Sequence, residues 1–308
     1  MELVQRTDLL MGNRFDIGVI ASQISDAEHA LQLAVDEIKR IEALLSTYQA
    51  DSLTNQINDA AGLHPVPVTE EFFQLVLRCQ RISSLTQGAF DLTYGSVDKK
   101  LWNFDRTMTA LPDEATAKKS IRLINYQMIE LDPQAKTIFL KKKGMRIGFG
   151  GIGKGYAADQ AKQLLVGLGY ENGLVNASGD MCAWGFRADG NPWHVGIVDP
   201  DHPKEVLADF DLVNAAVATS GTYEKFVLID GKRYSHTIHP KTGLPVQGIK
   251  SVSVLAPFAE LADALTTPIA VMGVEVGLDL VNQLQGVTCV IVDDENQIHQ
   301  AKHIEVCV

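Results

Sequence analysis

Cysteine is scarce in this sequence, and its four cysteines lie far apart, at Cys79, Cys182, Cys289 and Cys307. No Cys-x-x-Cys pair occurs. The sequence therefore lacks the closely spaced cysteines that bind zinc or form a disulfide framework. Four isolated thiols fit a reducing compartment without identifying one.

Long hydrophobic runs are also absent. No run of about 18 uncharged apolar residues, the length that indicates a transmembrane helix, occurs, because Glu275 and Asp279 interrupt the most apolar region. At the N-terminus, Glu2, Arg6 and Asp8 interrupt any apolar core of a signal peptide, and no lipobox cysteine is present. We therefore expect a soluble chain without a transmembrane segment or a visible leader, in an unknown compartment.

Basic residues are in the minority, with 27 Lys and Arg against 38 Asp and Glu, a net charge of −11. This balance argues against nucleic acid as a partner, because binding its phosphates requires clustered cations. A small anion can still bind at a local basic or amide-rich place. A hydrophobic fraction of 46% over 308 residues is typical of globular proteins and fits one large domain or two modest ones.

Apolar periodicity predicts strands that come mostly in hairpins, with helices between the groups. This order favours an α+β fold with antiparallel sheets over a doubly wound fold. The predicted helices are one that begins with a Ser25/Glu28 capping box and three more over 70–85, 156–168 and 260–273. The predicted strands are one over 15–21 and several within 123–149 that turn at 132–133 and 143–144. A hairpin with a type I′ turn is predicted at Asp230-Gly231.

A glycine-rich stretch, "RIGFGGIGKGYAAD" over 146–159, matches two nucleotide-binding patterns. A P-loop requires Ser or Thr after its lysine, but Gly155 follows Lys154. A dinucleotide fold requires an acid at the end of the second strand, whereas Glu171 precedes the next predicted strand. Both matches are therefore interpreted as false.

The physical basis that these two motifs share still applies to the loop. Glycines before a helix allow backbone N–H groups to approach an anion, and Lys154 adds a full positive charge. We interpret the loop as a phosphate site. The alternative is a tight turn with a surface lysine.

Asp263 and Thr267 lie four residues apart, so on a helix they share one face. A carboxylate and a hydroxyl suit a hard cation that keeps several water or phosphate ligands. We expect Asp263 to face the surface. The alternative is an ordinary polar helix face.

Two histidines lie three residues apart in "YSHTIHPKTGLP". In an extended stretch His236 and His239 point to opposite sides, so they cannot easily chelate one ion. Either one could act as a general base near neutral pH. The alternative is a hydrogen-bonded structural histidine.

Together these motifs resemble one family, the FAD:protein FMN transferases, also called ApbE flavin transferases. The resemblance runs in order along nearly the whole chain. It rests on "LMGNRFDI", "LSTYQADSLTNQIN", "GAFDLTYGSV", "GGIGKGYAAD", "VNASGD", "ATSGTYEKF", "YSHTIHPKTGLPV" and "ADALTTPIAVMG".

The resemblance implies transfer of FMN from FAD to a Ser or Thr of an acceptor flavoprotein, with Mg²⁺ as cofactor and AMP as product. It implies Asp263, Thr267 and the Gly151 carbonyl as metal ligands and His236 as the base. The FAD contacts that it implies are Met11, Tyr48, Ala89, Phe90, Asp91, Lys154 and Thr237. The implied fold is ApbE-like and T-fold-like, a single domain over 1–308 that could form two lobes around FAD. The family is often periplasmic or anchored by lipid.

Two positions depart from the family pattern. The family usually has Asp where this chain has Gly148, which removes one polar FAD contact. It often has Asp where this chain has His239, which could alter the orientation of the catalytic histidine and the pH dependence. Three alternatives therefore remain: an FAD pyrophosphatase, a non-catalytic FAD-binding protein and, more distantly, a Rossmann oxidoreductase.

Overall fold

A computed structural model of the chain describes residues 1–98, 110–199, 205–221, 226–229 and 232–302. Its α-helices in these residues are α1 (Ile24–Leu45), α2 (Leu53–Asp59), α3 (Glu70–Leu85), α4 (Glu114–Ser120), α5 (Gly153–Gly167), α6 (Ala259–Met272) and α7 (Val274–Asn282). Its strands are β1 (Glu2–Leu10), β2 (Asn13–Ala21), β3 (Val66–Pro67), β4 (Ile129–Asp132), β5 (Thr137–Leu140), β6 (Gly173–Ala177), β7 (Asp180–Trp184), β8 (Trp193–Val198), β9 (Val206–Leu212), β10 (Ala215–Gly221), β11 (Phe226–Ile229), β12 (Lys232–Ser235), β13 (Ile249–Ala256), β14 (Thr288–Asp293) and β15 (Ile298–Gln300). Short 3₁₀ helices cover Leu92–Ser96 and Tyr126–Met128.

The centre of the fold is an eight-stranded sheet in the order β1-β2-β6-β7-β10-β13-β14-β15. Every neighbouring pair in this sheet is antiparallel. The predicted α+β class with antiparallel sheets is confirmed. Because β6, the strand after α5, pairs antiparallel with β2, the glycine-rich stretch does not belong to a parallel βαβ unit.

The sheet is covered on both faces, as the alternation of its strands requires. Val19 of β2 faces the core that α1 and α5 form, whereas its neighbour Ile20 faces Trp193 and Leu212 of the β8–β9 hairpin. Helix α6 packs on β10 and β13 on the helical side. Full burial of each large apolar side chain contributes about 1.5–3 kcal/mol, so this layer dominates the stability of the fold.

Helix α3 begins and ends where its periodicity predicts. The Thr69 side chain caps it by accepting a hydrogen bond from the Phe72 N–H. Phe72 is fully buried and packs edge-on against Phe149, with 5.4 Å between the ring centroids. This contact fixes one end of the glycine-rich loop against the core.

Two local predictions are wrong. Helix α1 begins at Ile24 with Gln23 as its N-cap, so Ser25 is already helical and cannot form the predicted capping box. Residues 145–149 are not a strand, because side chains bind the N–H groups of Arg146 and Ile147, and Gly148 N–H donates to Leu92 O. Ser96 Oγ accepts from Arg146, and Asn58 Oδ1 accepts from Ile147.

The predicted type I′ turn at Asp230-Gly231 lies outside the described residues, although β11 and β12 on either side pair antiparallel. Within the described ranges, no helix is both long and apolar enough to cross a bilayer.

Candidate active site

One cleft of about 1020 Å³ contains nearly all the residues that the sequence singled out. Its lining includes Met11, Tyr48, Ala89, Phe90, Asp91, Gly151, Lys154, His236, Thr237 and Thr267. A second cavity, of about 580 Å³, lies between α3, α5 and the start of α6 and is lined by none of these residues.

The glycine-rich loop turns directly into α5 at the floor of the cleft. Phe149 O accepts hydrogen bonds from the N–H groups of Ile152 and Gly153, which close the turn. At Gly155 a Cβ would lie 2.1 Å from Ala259 O, so only glycine allows α5 and α6 to approach so closely. Gly150 has no such neighbour within 4 Å, which leaves its backbone accessible to a ligand.

Asp263 is buried, only 5% exposed, which corrects the expectation that it faces the surface. Its Oδ2 accepts a hydrogen bond from the Gly155 N–H at 3.1 Å, at the beginning of α5. Burial raises the pKa of Asp263 to about 7, and the charge of Asp180 adds to this effect. Lys154 and the backbone N–H groups of α5 act in the opposite direction. The position is therefore one where a further cation would stabilise the carboxylate.

Thr267 follows Asp263 by one helical turn and lines the cleft. A Cβ built on Gly151 would lie 3.9 Å from Thr267 Oγ1, so the loop backbone passes close to this hydroxyl. In the described part of the chain, no cluster of three or more His, Cys, Asp or Glu side chains is arranged to hold a metal. A cation here would have one carboxylate, a hydroxyl and backbone or ligand oxygens, a set that fits Mg²⁺ better than a transition metal.

Lys154 lines the cleft and forms an ion pair with Asp180. Asp180 is the first residue of β7, is 2% exposed and follows a two-residue turn in which Ser178 and Gly179 have φ values of 52° and 101°. Sequence reasoning gave no role to this acid, the last residue of "VNASGD". The feature of the sequence that indicates Asp180 is its position directly after the turn-forming residues Ser178 and Gly179.

Hydrogen bonds to the Asp91 carboxylate hold the segment at Phe90 and Asp91 in place. Asp91 accepts from the Thr93 N–H at 2.8 Å, from Thr93 Oγ1 at 2.6 Å and from the Tyr126 N–H at 2.9 Å. Burial raises the pKa of Asp91 despite these bonds. Its side chain therefore orders the cleft wall, while buried Phe90 lies beside Gly151.

Met11 and Tyr48 differ in exposure: Met11 is partly buried, whereas Tyr48 is almost fully exposed. Met11 sits in a tight turn with φ of 52°, and its Cε lies 3.5 Å from a Cβ built on Gly153, at the loop. Tyr48 is 93% exposed at the cleft, and its N–H donates to Ser46 Oγ. The first shapes the floor, whereas the second offers an exposed ring to a ligand.

His236 lines the cleft just after β12, in a bend rather than in the predicted extended stretch. Hydrogen bonds fix its segment: Thr237 N–H donates to Ser235 Oγ at 3.0 Å, Ile238 N–H donates to Tyr94 Oη at 2.8 Å, and Thr237 O accepts from Val246 N–H at 2.9 Å. Burial raises the pKa of Tyr94 to about 12, so this phenol stays neutral. Tyr94 lies in the segment "GAFDLTYGSV", whose pattern does not indicate this contact.

His239 is not part of the cleft lining. Its Nδ1 accepts a hydrogen bond from the Lys241 N–H at 3.0 Å and thereby closes the turn that follows. Burial, with a smaller contribution from the charge of Lys241, lowers the pKa of His239. The structure thus separates the two histidines, one at the cleft and one within a turn.

Gly148 and Arg146 complete one side of the cleft. A Cβ built on Gly148 would meet only the Thr47 methyl group within 4 Å, at 3.6 Å, so the backbone leaves space for a side chain. The Arg146 guanidinium donates to Asn55 Oδ1 at 2.8 Å. Arg146 is a second cation of the cleft that sequence reasoning left without a role.

Comparison with known proteins identifies relatives of this chain. The sequence model of the ApbE family matches residues 11–291. The chain is 33% identical over 282 residues to an FAD:protein FMN transferase of Salmonella typhimurium, covering 89% of this chain and 79% of that protein. It is 30% identical over 318 residues to one of Treponema pallidum, covering 97% and 87%.

Solved structures share this fold. The ApbE protein of Thermotoga maritima superposes with a TM-score of 0.88 at 30% identity, over 98% of this chain and 97% of that one. The flavin transferase ApbE of Vibrio cholerae superposes with a TM-score of 0.85 at 26% identity, over 98% and 97%.

Proposed function

This chain belongs to the ApbE family, and from that premise we propose that it transfers FMN from FAD to a serine or threonine hydroxyl of an acceptor protein and releases AMP. The observation that carries the proposal is the composition of one cleft. An amide-rich loop with a lysine, oxygen ligands and a histidine come together there from distant parts of the chain. Phosphoryl transfer depends on these three elements: anion binding, charge compensation and a base.

FAD would bind with its diphosphate at the start of α5. Backbone N–H groups of Gly150 and Gly151 and the ammonium of Lys154 suit the phosphate oxygens, and the helix N-terminus adds partial positive charge. Phe90 and Tyr48 provide ring surfaces for the aromatic parts of FAD. The division of residues 1–308 into two lobes around FAD stays a prediction.

Mg²⁺ is the cation that we propose for the oxygens of Asp263, Thr267 and Gly151. When bound, it would offset the negative charge of the diphosphate. Asp263 suits this role because the Gly155 N–H already fixes one of its oxygens. The protein thus contributes an oriented carboxylate before any cation arrives.

His236 would remove the proton from the acceptor hydroxyl. The oxygen then attacks the phosphorus of the FMN part, and the new P–O bond forms as the P–O bond to the AMP part breaks. AMP leaves with the electron pair of that bond. The hydrogen bond from Ile238 to Tyr94 holds the segment of His236 at the cleft during this step.

The test is incubation with FAD, Mg²⁺ and a protein that carries a candidate acceptor threonine. The expected products are AMP and covalently flavinylated acceptor in equal amounts, the latter seen as a fluorescent band that survives denaturation. Free FMN and AMP in the presence of the acceptor would instead identify an FAD pyrophosphatase. Tight binding of FAD without any product would identify a non-catalytic flavin-binding protein.

A further inference from the structure

Asp180 is a buried acid that pairs with the cleft residue Lys154, and the proposed reaction assigns it no step. The antiparallel register pairs it with Ala177 across the turn, so the β6–β7 hairpin fixes its direction. Cys182, two residues later on the same face of β7, lies against Ala158 of α5. Asp180 therefore faces the first turns of α5, where Lys154 lies and where Asp263 of α6 accepts its hydrogen bond from Gly155.

At this point the ammonium of Lys154 meets the carboxylates of Asp180 and Asp263. Lys154 is paired with Asp180, while Asp263 also interacts electrostatically with both. In the described part of the chain, the Lys154 ammonium thus acts on two buried carboxylates. Because charges attract more strongly away from water, the acid that holds the ammonium decides how accessible the other acid remains.

We propose that Asp180 is a positioning residue that keeps the Lys154 ammonium off Asp263 and so leaves Asp263 open to a divalent cation. This inference rests on the proposed cation site. The ion pair supports it because it places the Lys154 ammonium on Asp180, while backbone N–H groups at the start of α5 hold the Asp263 carboxylate in place. If Asp180 were a neutral amide, Lys154 would still face the buried carboxylate of Asp263.

Competition between the Lys154 ammonium and the cation for Asp263 can be measured as metal binding, without enzymatic turnover. In Asp180→Asn the ammonium moves to Asp263 and competes with the cation for the same oxygens. We expect Mn²⁺ binding, followed by the paramagnetic resonance signal of free Mn²⁺, to weaken about tenfold, the size of coupling seen between groups in contact. Removal of the competitor in Asp180→Asn/Lys154→Met should restore binding to nearly the wild-type level.

Two further variants make the test specific. Glu275→Gln removes one exposed negative charge on α7 and should leave Mn²⁺ binding unchanged. Lys154→Met alone should bind Mn²⁺ at least as tightly as the wild type, and it provides the test if Asp180→Asn does not fold. Unfolding curves of every variant verify the folded state.

The outcomes separate this inference from the cation site itself. Equal binding by the wild type and Asp180→Asn, a double variant as weak as Asp180→Asn, or weaker binding by Lys154→Met would overturn the role of Asp180 alone. A folded wild type that binds no Mn²⁺, or a folded Asp263→Asn that binds it fully, would overturn the cation site and this inference with it.

Discussion

Asp159 of α5 and Asp263 of α6 cap each other's helices. Asp159 accepts hydrogen bonds from the N–H groups of Ala259 and Glu260, at 3.0 and 2.8 Å, at the start of α6. Asp263 accepts from the N–H of Gly155 at the start of α5. Both acids are buried, 6% and 5% exposed. The helix that carries Asp263 and Thr267 is thus aligned with the loop that would bind phosphate.

We expect Asp159→Ala to destabilise the protein by about 2 kcal/mol or more, because it removes a helix cap and leaves one buried and one partly buried N–H group without their acceptor. Urea unfolding of the purified variant measures this loss. Asp113→Ala is the matched control, since Asp113 caps the short α4 at an exposed position. If the two variants lost equal free energy of unfolding, Asp159 would contribute no more than an exposed helix cap does.

Helices were predictable from sequence where periodicity and capping agree. Helix α3 is such a case, with Thr69 before it and apolar residues along one side. The Ser25/Glu28 pattern misled because burial, not the capping motif, sets the start of α1: Ala27 and Leu31 face the core, and Ile24 precedes them in the helix. Residues 145–149 looked like a strand, but Arg146 and Ile147 donate to the side chains of Ser96 and Asn58, and no periodicity reveals such partners.

The candidate site was predictable as a list of residues, mostly through the family resemblance, but not as a geometry. Sequence spacing placed Asp263 and Thr267 on one helical face, yet the burial of Asp263 depends on contact with α5. The pairing of Lys154 with Asp180 joins a helix to a hairpin 26 residues away along the chain. Such contacts arise from tertiary packing, which local patterns do not encode.

His239 should make stability depend on pH. Its folded-state pKa is lowered from 6.5, mainly by burial, and protonation of Nδ1 would abolish the hydrogen bond that it accepts from Lys241. The folded state thus binds protons less readily than the unfolded state, so stability is full above about pH 6.5 and is lost as pH falls through the lowered folded-state pKa.

The variant His239→Asp restores the acid that the family often has, and its carboxylate can still accept from the Lys241 N–H. We expect it to lose less stability than the wild type between about pH 7 and pH 5, in urea unfolding at each pH. An identical pH dependence in the two proteins would show that His239 does not contribute.

Gly148→Asp should strengthen FAD binding. The site has space for a Cβ, with only the Thr47 methyl group within 4 Å, and the new acid would supply a polar contact that the family usually has. One added hydrogen bond corresponds to about 1 kcal/mol, or about fivefold in affinity. Quenching of flavin fluorescence measures the change, with Gly148→Ala as the steric control. Affinity that falls equally in both variants would refute the added contact.

The central claim is that His236 at the cleft is the base for transfer to a protein hydroxyl, and one measurement tests it most directly. AMP and covalent flavin are quantified over time for the wild type, His236→Ala and His239→Ala with FAD, Mg²⁺ and acceptor. We predict that His236→Ala still binds FAD but forms covalent flavin about 10²–10⁴-fold more slowly, whereas His239→Ala stays near the wild-type rate. Wild-type protein that yields free FMN and AMP, with His236→Ala doing so equally well, would contradict the account.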